Sequence, residues 1–308
     1  MSRPLYRAVL LLSAVTLPGC RLCAQSERVS PGTERPSVPA AVANDERGPK
    51  GIPFDLLDGF LIAVEGRIGP LEHLKFILDT GVTRTVLDRK VADRLHLACL
   101  PREVLNYNRA VTVEWATISD LQFGPTKIAN LSILVADIAD FSELANGDVD
   151  ALIGYDLLRL SNFVFDYDAR RVIFTPFERA ASSSSINPAA DHLTALTAEL
   201  QVQGHPVYFI VDTGLQGMVL FEDRVLKRIP ELKFEGEIES VEFGKHLQAK
   251  RTTLVKVHLG RNDLDIKVFL LNGPPENENP GIDGYLGTEL LKARWIEFNT
   301  AENNIRWR

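Results

Sequence analysis

Apolar residues recur along the chain in short runs at strand spacing, punctuated by Gly, Pro, Asn and Asp. Leu61–Ile68, Lys75–Leu78, Val111–Trp115, Leu131–Val135 and Phe163–Phe174 are rich in Val, Ile, Leu and Phe, and the pattern predicts strands there. Asp88–Leu97 has the period of a short amphipathic helix, with Val91 and Leu95 on one face. The expected fold class is all-β with short helices.

The pattern changes at two places. Met1–Arg7 carries two arginines and is followed by an apolar run to Leu17, the layout of an export signal and too short to span a bilayer of roughly 30 Å as a helix. Leu17-Pro18-Gly19-Cys20 resembles a bacterial lipobox, which makes Cys20 a candidate lipidation site and the mature protein a periplasmic or membrane-anchored lipoprotein. The alternative is cleavage near Ala24 and release of a soluble, secreted protein. Residues 25–50 have almost no large apolar side chain, so burial cannot offset ordering entropy and a flexible tether is expected. Residues 180–190, with four consecutive serines and Asn187-Pro188, read as a linker. The expected organisation is a signal over 1–24, a tether over 25–50, one lobe over 51–179, the linker, and a second lobe over 191–308.

Composition narrows the chemistry. At 308 residues, with 45% hydrophobic and 24% charged residues, the chain has a core to bury. A net charge of −7 with no dense basic patch excludes a nucleic-acid footprint. Three cysteines, Cys20, Cys23 and Cys99, cannot form a disulfide framework. The six histidines show no ligand spacing, so no metal site is expected, and no cofactor motif is present. There is no Gly-x-Ser-x-Gly elbow, and Ser182–Ser185 belongs to the linker.

The two halves repeat in one register. Phe76-Ile77-Leu78-Asp79-Thr80-Gly81 recurs as Phe209-Ile210-Val211-Asp212-Thr213-Gly214, displaced by 133 residues. The blocks Asp150–Leu158 and Asp283–Leu291, and Phe165-Asp166 and Phe298-Asn299, keep the same displacement. Each unit is too long for a solenoid repeat, at roughly 20–50 residues, and long enough for a small domain. Each Asp-Thr-Gly follows an apolar run, so each aspartate leaves the end of a buried strand. Two such lobes facing one another would bring Asp79 and Asp212 together. Carboxyls that share a site cannot both ionise easily, so they hold a proton between them. One can then take a proton from water while the other hydrogen-bonds a scissile carbonyl. Thr80 and Thr213 have hydroxyls suited to bonds beneath the carboxyls, and Gly81 and Gly214 can present backbone N–H groups to them.

On these residues the chain resembles the aspartic peptidases of the pepsin and retropepsin clan, over about Ile52–Arg308, and looks closest to bacterial retropepsin-like proteases with two tandem copies. The resemblance implies a bilobal all-β fold and a catalytic dyad of Asp79 and Asp212. It also implies an interlocking pair of Thr80 and Thr213, and a strand at Leu152-Ile153-Gly154 and Tyr285-Leu286-Gly287 threading behind the active-site loop. The implied activity is that of an aspartic endopeptidase acting on extended polypeptides, as a monomer and without cofactor. A peptide-binding module that does not cleave is the alternative. Val82 and Leu215 stand where relatives carry Ser, Thr or Ala, and neither side chain can donate to the carboxyls, which predicts activity at mildly acidic to neutral pH. Flaps over the cleft are expected at the Asn106–Arg109 and Gly244-Lys245 turns, with Tyr107 and Phe243 in equivalent positions.

Overall fold

The computed structural model describes residues 51–106, 109–139, 142, 147–175, 195–242, 245–259, 262–271, 273 and 281–308. The expected signal, tether and linker, with Cys20, Cys23, Tyr107 and Phe243, lie outside the described residues.

The described chain is built on three sheets. The first runs Asp55–Leu57, Leu61–Ile68, Leu71–Leu78, Ala151–Ile153, Val86–Asp88, Thr126–Ala136, Arg109–Phe123, Leu100–Asn106. Leu61–Ile68 also pairs with Arg109–Phe123, which curls the sheet toward a barrel. The second runs Thr197–Val202, His205–Asp212, Gly284–Gly287, Met218–Phe221, Asn262–Leu271, Lys245–Leu259, Phe234–Glu242, and Thr197–Val202 pairs back onto Lys245–Leu259 in the same way. Parallel pairing of Phe76 with Ala151 in the first sheet is matched by Phe209 with Gly284 in the second, at the displacement seen in the sequence.

Alternation along the strands explains the burial. Phe76 and Leu78 point into one apolar cluster and Ile77 into another, so the strand before Asp79 is covered on both faces. Phe209 and Ile210 divide between two clusters of the second sheet, while Val211 joins the cluster of the first. The core is therefore continuous where the halves meet.

A third sheet joins them, in the order Ile52–Pro53, Arg171–Thr175, Asn162–Asp166, Trp295–Asn299, Asn304–Trp307. Across its centre Phe163 pairs with Phe298 and Phe165 with Ile296, antiparallel. All four side chains are fully buried, and the Phe163 and Phe298 rings stack with centroids 4.6 Å apart. Burying each stabilises the sheet by about 1.5–3 kcal/mol.

Two local readings differ from the structure. Phe163–Phe174 is a hairpin rather than one strand, turning between Asp166 and Arg171. The turn forms because Asp166 Oδ1 accepts the Ala169 N–H at 2.8 Å and Arg170 takes a left-handed conformation at φ 51°. The helix after Asp88 is shorter than expected, Arg89–Arg94; Asp88 caps it by accepting from the Lys90 N–H, and His96 at φ 51° breaks its continuation.

Candidate active site

Each aspartate stands where a buried strand ends. The Asp79 N–H donates to the Ile153 carbonyl at 3.0 Å, continuing the parallel pairing of Leu71–Leu78 with Ala151–Ile153. Asp212 ends its own strand opposite Gly287. Both side chains are buried, Asp79 completely and Asp212 to 2% exposure.

Beneath them the two threonines interlock. Thr80 Oγ1 donates to the Val211 carbonyl and Thr213 Oγ1 to the Leu78 carbonyl, both at 2.7 Å. Each hydroxyl also accepts the other threonine's backbone N–H, both at 3.1 Å. Four hydrogen bonds thus tie the strand ends together, and every group in the set is satisfied.

Above this layer the carboxyls meet. Asp79 Oδ1 accepts N–H donors from Gly81 at 2.9 Å and Val82 at 3.2 Å, and Asp212 Oδ1 accepts from Gly214 at 2.8 Å. The Leu215 N–H also favours the ionised form of Asp212. Asp79 Oδ2 is buried and has no N–H or hydroxyl donor. The neighbouring Asp212 carboxyl opposes its ionisation, and two carboxyls can hydrogen-bond only through a retained proton. The approach is close: a Cβ on Gly81 would lie 2.3 Å from Asp212 Cγ, so only glycine fits there.

Burial raises the pKa of both carboxyls above the usual carboxylate range. For Asp79 the burial effect is largest, followed by the negative charge of Asp212. For Asp212 burial is again the chief cause, opposed by the Gly214 N–H and the contact with Asp79. Both are raised, and the arrangement suits one proton shared by the pair. Such a pair can act at once as general base and general acid.

The side chains of Val82 and Leu215 are buried in separate apolar clusters, so only their backbones reach the carboxyls. Behind the two loops lie acids that sequence reasoning gave no role. Asp156 accepts the backbone N–H of Thr85 at 3.0 Å, its hydroxyl at 2.8 Å and the Leu157 N–H at 3.0 Å. Glu289 accepts the Gly217 N–H. Both stand two residues after the repeated glycines Gly154 and Gly287, so an acid recurring at the same displacement was the available signal. Among the described residues no group of three or more His, Cys, Asp or Glu side chains could hold a metal ion.

Of the residues singled out from the sequence, Asp79, Asp212, Thr80, Thr213, Gly81 and Gly214 are brought together here. The hairpins expected to carry flaps pair as far as Asn106 with Arg109 and Glu242 with Lys245.

Residues 64–157 match the aspartyl protease family model, a stretch that holds Asp79-Thr80-Gly81 and Leu152-Ile153-Gly154. A comparison with curated proteins finds no match. Among solved structures, a retropepsin-like aspartic protease from Rickettsia conorii is similar over 42% of this chain and 91% of that one, at 21% identity and a TM-score of 0.30. Residues 64–157 are thus similar to aspartyl proteases, and the described chain is mostly β, as the resemblance implied.

Proposed function

We propose that this chain, aspartyl-protease-like over 64–157, is an aspartic endopeptidase that hydrolyses extended polypeptides with a water activated by Asp79 and Asp212. The observation that carries this is the burial of two mutually interacting carboxyls on the ends of interlocked strands. The ionised member of the pair takes a proton from water as it attacks the peptide carbonyl, and the protonated member donates to the carbonyl oxygen. The tetrahedral intermediate collapses when the amide nitrogen is protonated and the C–N bond breaks. Neither step forms a covalent enzyme intermediate. The threonine network fixes the carboxyls in place, so little reorganisation is needed as charge develops.

A peptide substrate would lie between the halves, its backbone meeting the strand edges of the two long hairpins, Leu100–Phe123 and Phe234–Leu259. Because both aspartates belong to one chain, a monomer suffices. The apolar run before Leu17 supports export, and Cys20 supports a lipid tether outside the cytoplasm; the mass of the mature protein tests both.

The deciding experiment compares cleavage of a random peptide library between pH 3 and 8 by the mature chain, Asp79→Asn and Asp212→Asn. Cleavage by the parent alone is expected, with the variants reduced by at least about a thousandfold. Equal cleavage by all three overturns the dyad mechanism, and peptide binding without cleavage by the parent assigns the chain to the non-cleaving class.

A further inference from the structure

The two acids behind the active-site loops are not equivalent. Asp156 receives three donors, two of them from Thr85. Thr85 corresponds to Met218 in the second half, which offers no hydroxyl. Glu289 instead takes the N–H of the residue before Met218, Gly217, on Oε1. Its other oxygen, Oε2, is buried without a hydrogen-bond partner.

Backbone N–H groups of Glu289 and Leu290 also act on this carboxyl, but burial outweighs them, and carbonyl oxygens lie close by. A Cβ placed on Gly287 would lie 2.4 Å from Glu289 Oε2, 2.4 Å from the Leu215 carbonyl oxygen and 2.7 Å from the Gly217 carbonyl oxygen, so the three oxygens crowd one face of Gly287. The Gly217 carbonyl accepts the Gly287 N–H at 2.8 Å, and a carbonyl oxygen, with two lone pairs, can accept from a carboxyl O–H. A neutral carboxyl can donate there, and an ionised one sets a charge against carbonyl oxygens. The titratable groups that act on this site are also acids. Asp212 stands at the other end of the same turn, and the Tyr167 hydroxyl, bonded to Thr288, approaches from the hairpin of the first half.

We propose that Glu289 is a positioning residue which, in its neutral form, holds the Gly214–Gly217 turn beneath Asp212, and that its ionisation loosens the turn and sets the upper pH limit of activity. Burial, with the Asp212 charge adding to it, pushes the Glu289 carboxyl up to about 7, so it keeps its proton across the mildly acidic range and loses it near neutrality. The effect on catalysis rests on the peptidase reading above, but the effect on the fold does not.

Three measurements test it. In carbon-13 NMR of the full mature chain, one glutamate δ-carbon is expected to remain protonated at pH 6; ionisation of every glutamate by that pH overturns the proposal. Glu289→Gln keeps an acceptor for Gly217 and cannot ionise, so its unfolding midpoint should fall less than the parent's between pH 5 and 8. Parallel curves count against the idea. With a cleavable peptide as probe, the alkaline limb of kcat/KM should move to higher pH in Glu289→Gln, while Glu289→Ala lowers kcat more than it raises KM. An unmoved or lowered limb in Glu289→Gln contradicts the catalytic role. If no peptide is cleaved, the first two measurements still decide the state of Glu289, and the failure belongs to the peptidase reading alone.

Discussion

Thr80 and Thr213 are joined reciprocally: each hydroxyl accepts the other's backbone N–H at 3.1 Å while donating to a carbonyl of the opposite strand at 2.7 Å. Neither residue can be satisfied without the other. Replacing one hydroxyl by a methyl strands a buried N–H and a buried carbonyl, each costing about 1–3 kcal/mol. Thr80→Val and Thr213→Val should therefore each destabilise the chain by at least about 2 kcal/mol in denaturant unfolding. The double variant strands a second N–H and a second carbonyl, so it should cost more than either single variant. Ser at either position should retain most of the stability.

The carboxyl pair makes a separate contribution that depends on pH. Asp79 and Asp212 hold their protons above the usual range, so the folded chain binds more protons than the unfolded one. Stability from this source is fully present below about pH 4, where free carboxyls titrate, and is lost as pH rises through the folded values. In Asp79→Asn the loss should shrink. Unfolding free energies of parent and variant, measured from pH 4 to 8, should converge or cross as pH rises, and a constant difference would show that the pair does not share its proton.

Gly287 gives a steric test of the second-half turn. Its Cβ would meet Glu289 Oε2 and the Leu215 carbonyl, both at 2.4 Å, and the second of these is backbone that cannot swing away. Gly287→Ala should cost several kcal/mol, of the order seen for overpacked cores, and should displace the turn that carries Leu215. Gly236, exposed and with nothing within 4 Å of its Cβ position, is the control: Gly236→Ala should leave the thermal midpoint unchanged or slightly raised.

The central sheet can be weakened without touching the site. Phe163→Ala removes a ring stacked on Phe298 and should cost about 3–5 kcal/mol. Because Phe163 and Phe298 belong to different halves, calorimetry should resolve two transitions where the parent shows one.

How much of this could be read beforehand depended on how local each signal was. Asp79-Thr80-Gly81 and its partner were visible because an apolar run, an acid and a glycine sit side by side in the chain, and the register between copies says which residues to compare. The hairpin at Phe163–Phe174 was hidden because its turn, Asp166–Arg170, has no glycine or proline and relies on an Asp side chain and a left-handed arginine. Glu289 was harder still. Its importance comes from Gly217, 72 residues earlier in the chain, and from carbonyl oxygens that no residue letter reveals. Asp156 and Glu289 look interchangeable in sequence, yet Thr85 supplies a hydroxyl to the first and Met218 has none for the second.

The order in which the strands are made adds a last consequence. A growing chain that has reached Asp212 already contains both aspartates, but the strands that seat and join them, Gly284–Gly287 and Trp295–Asn299, are still to come. Seating of the carboxyl pair is thus delayed during synthesis by topology alone: the strands that hold it leave the ribosome well after the second aspartate.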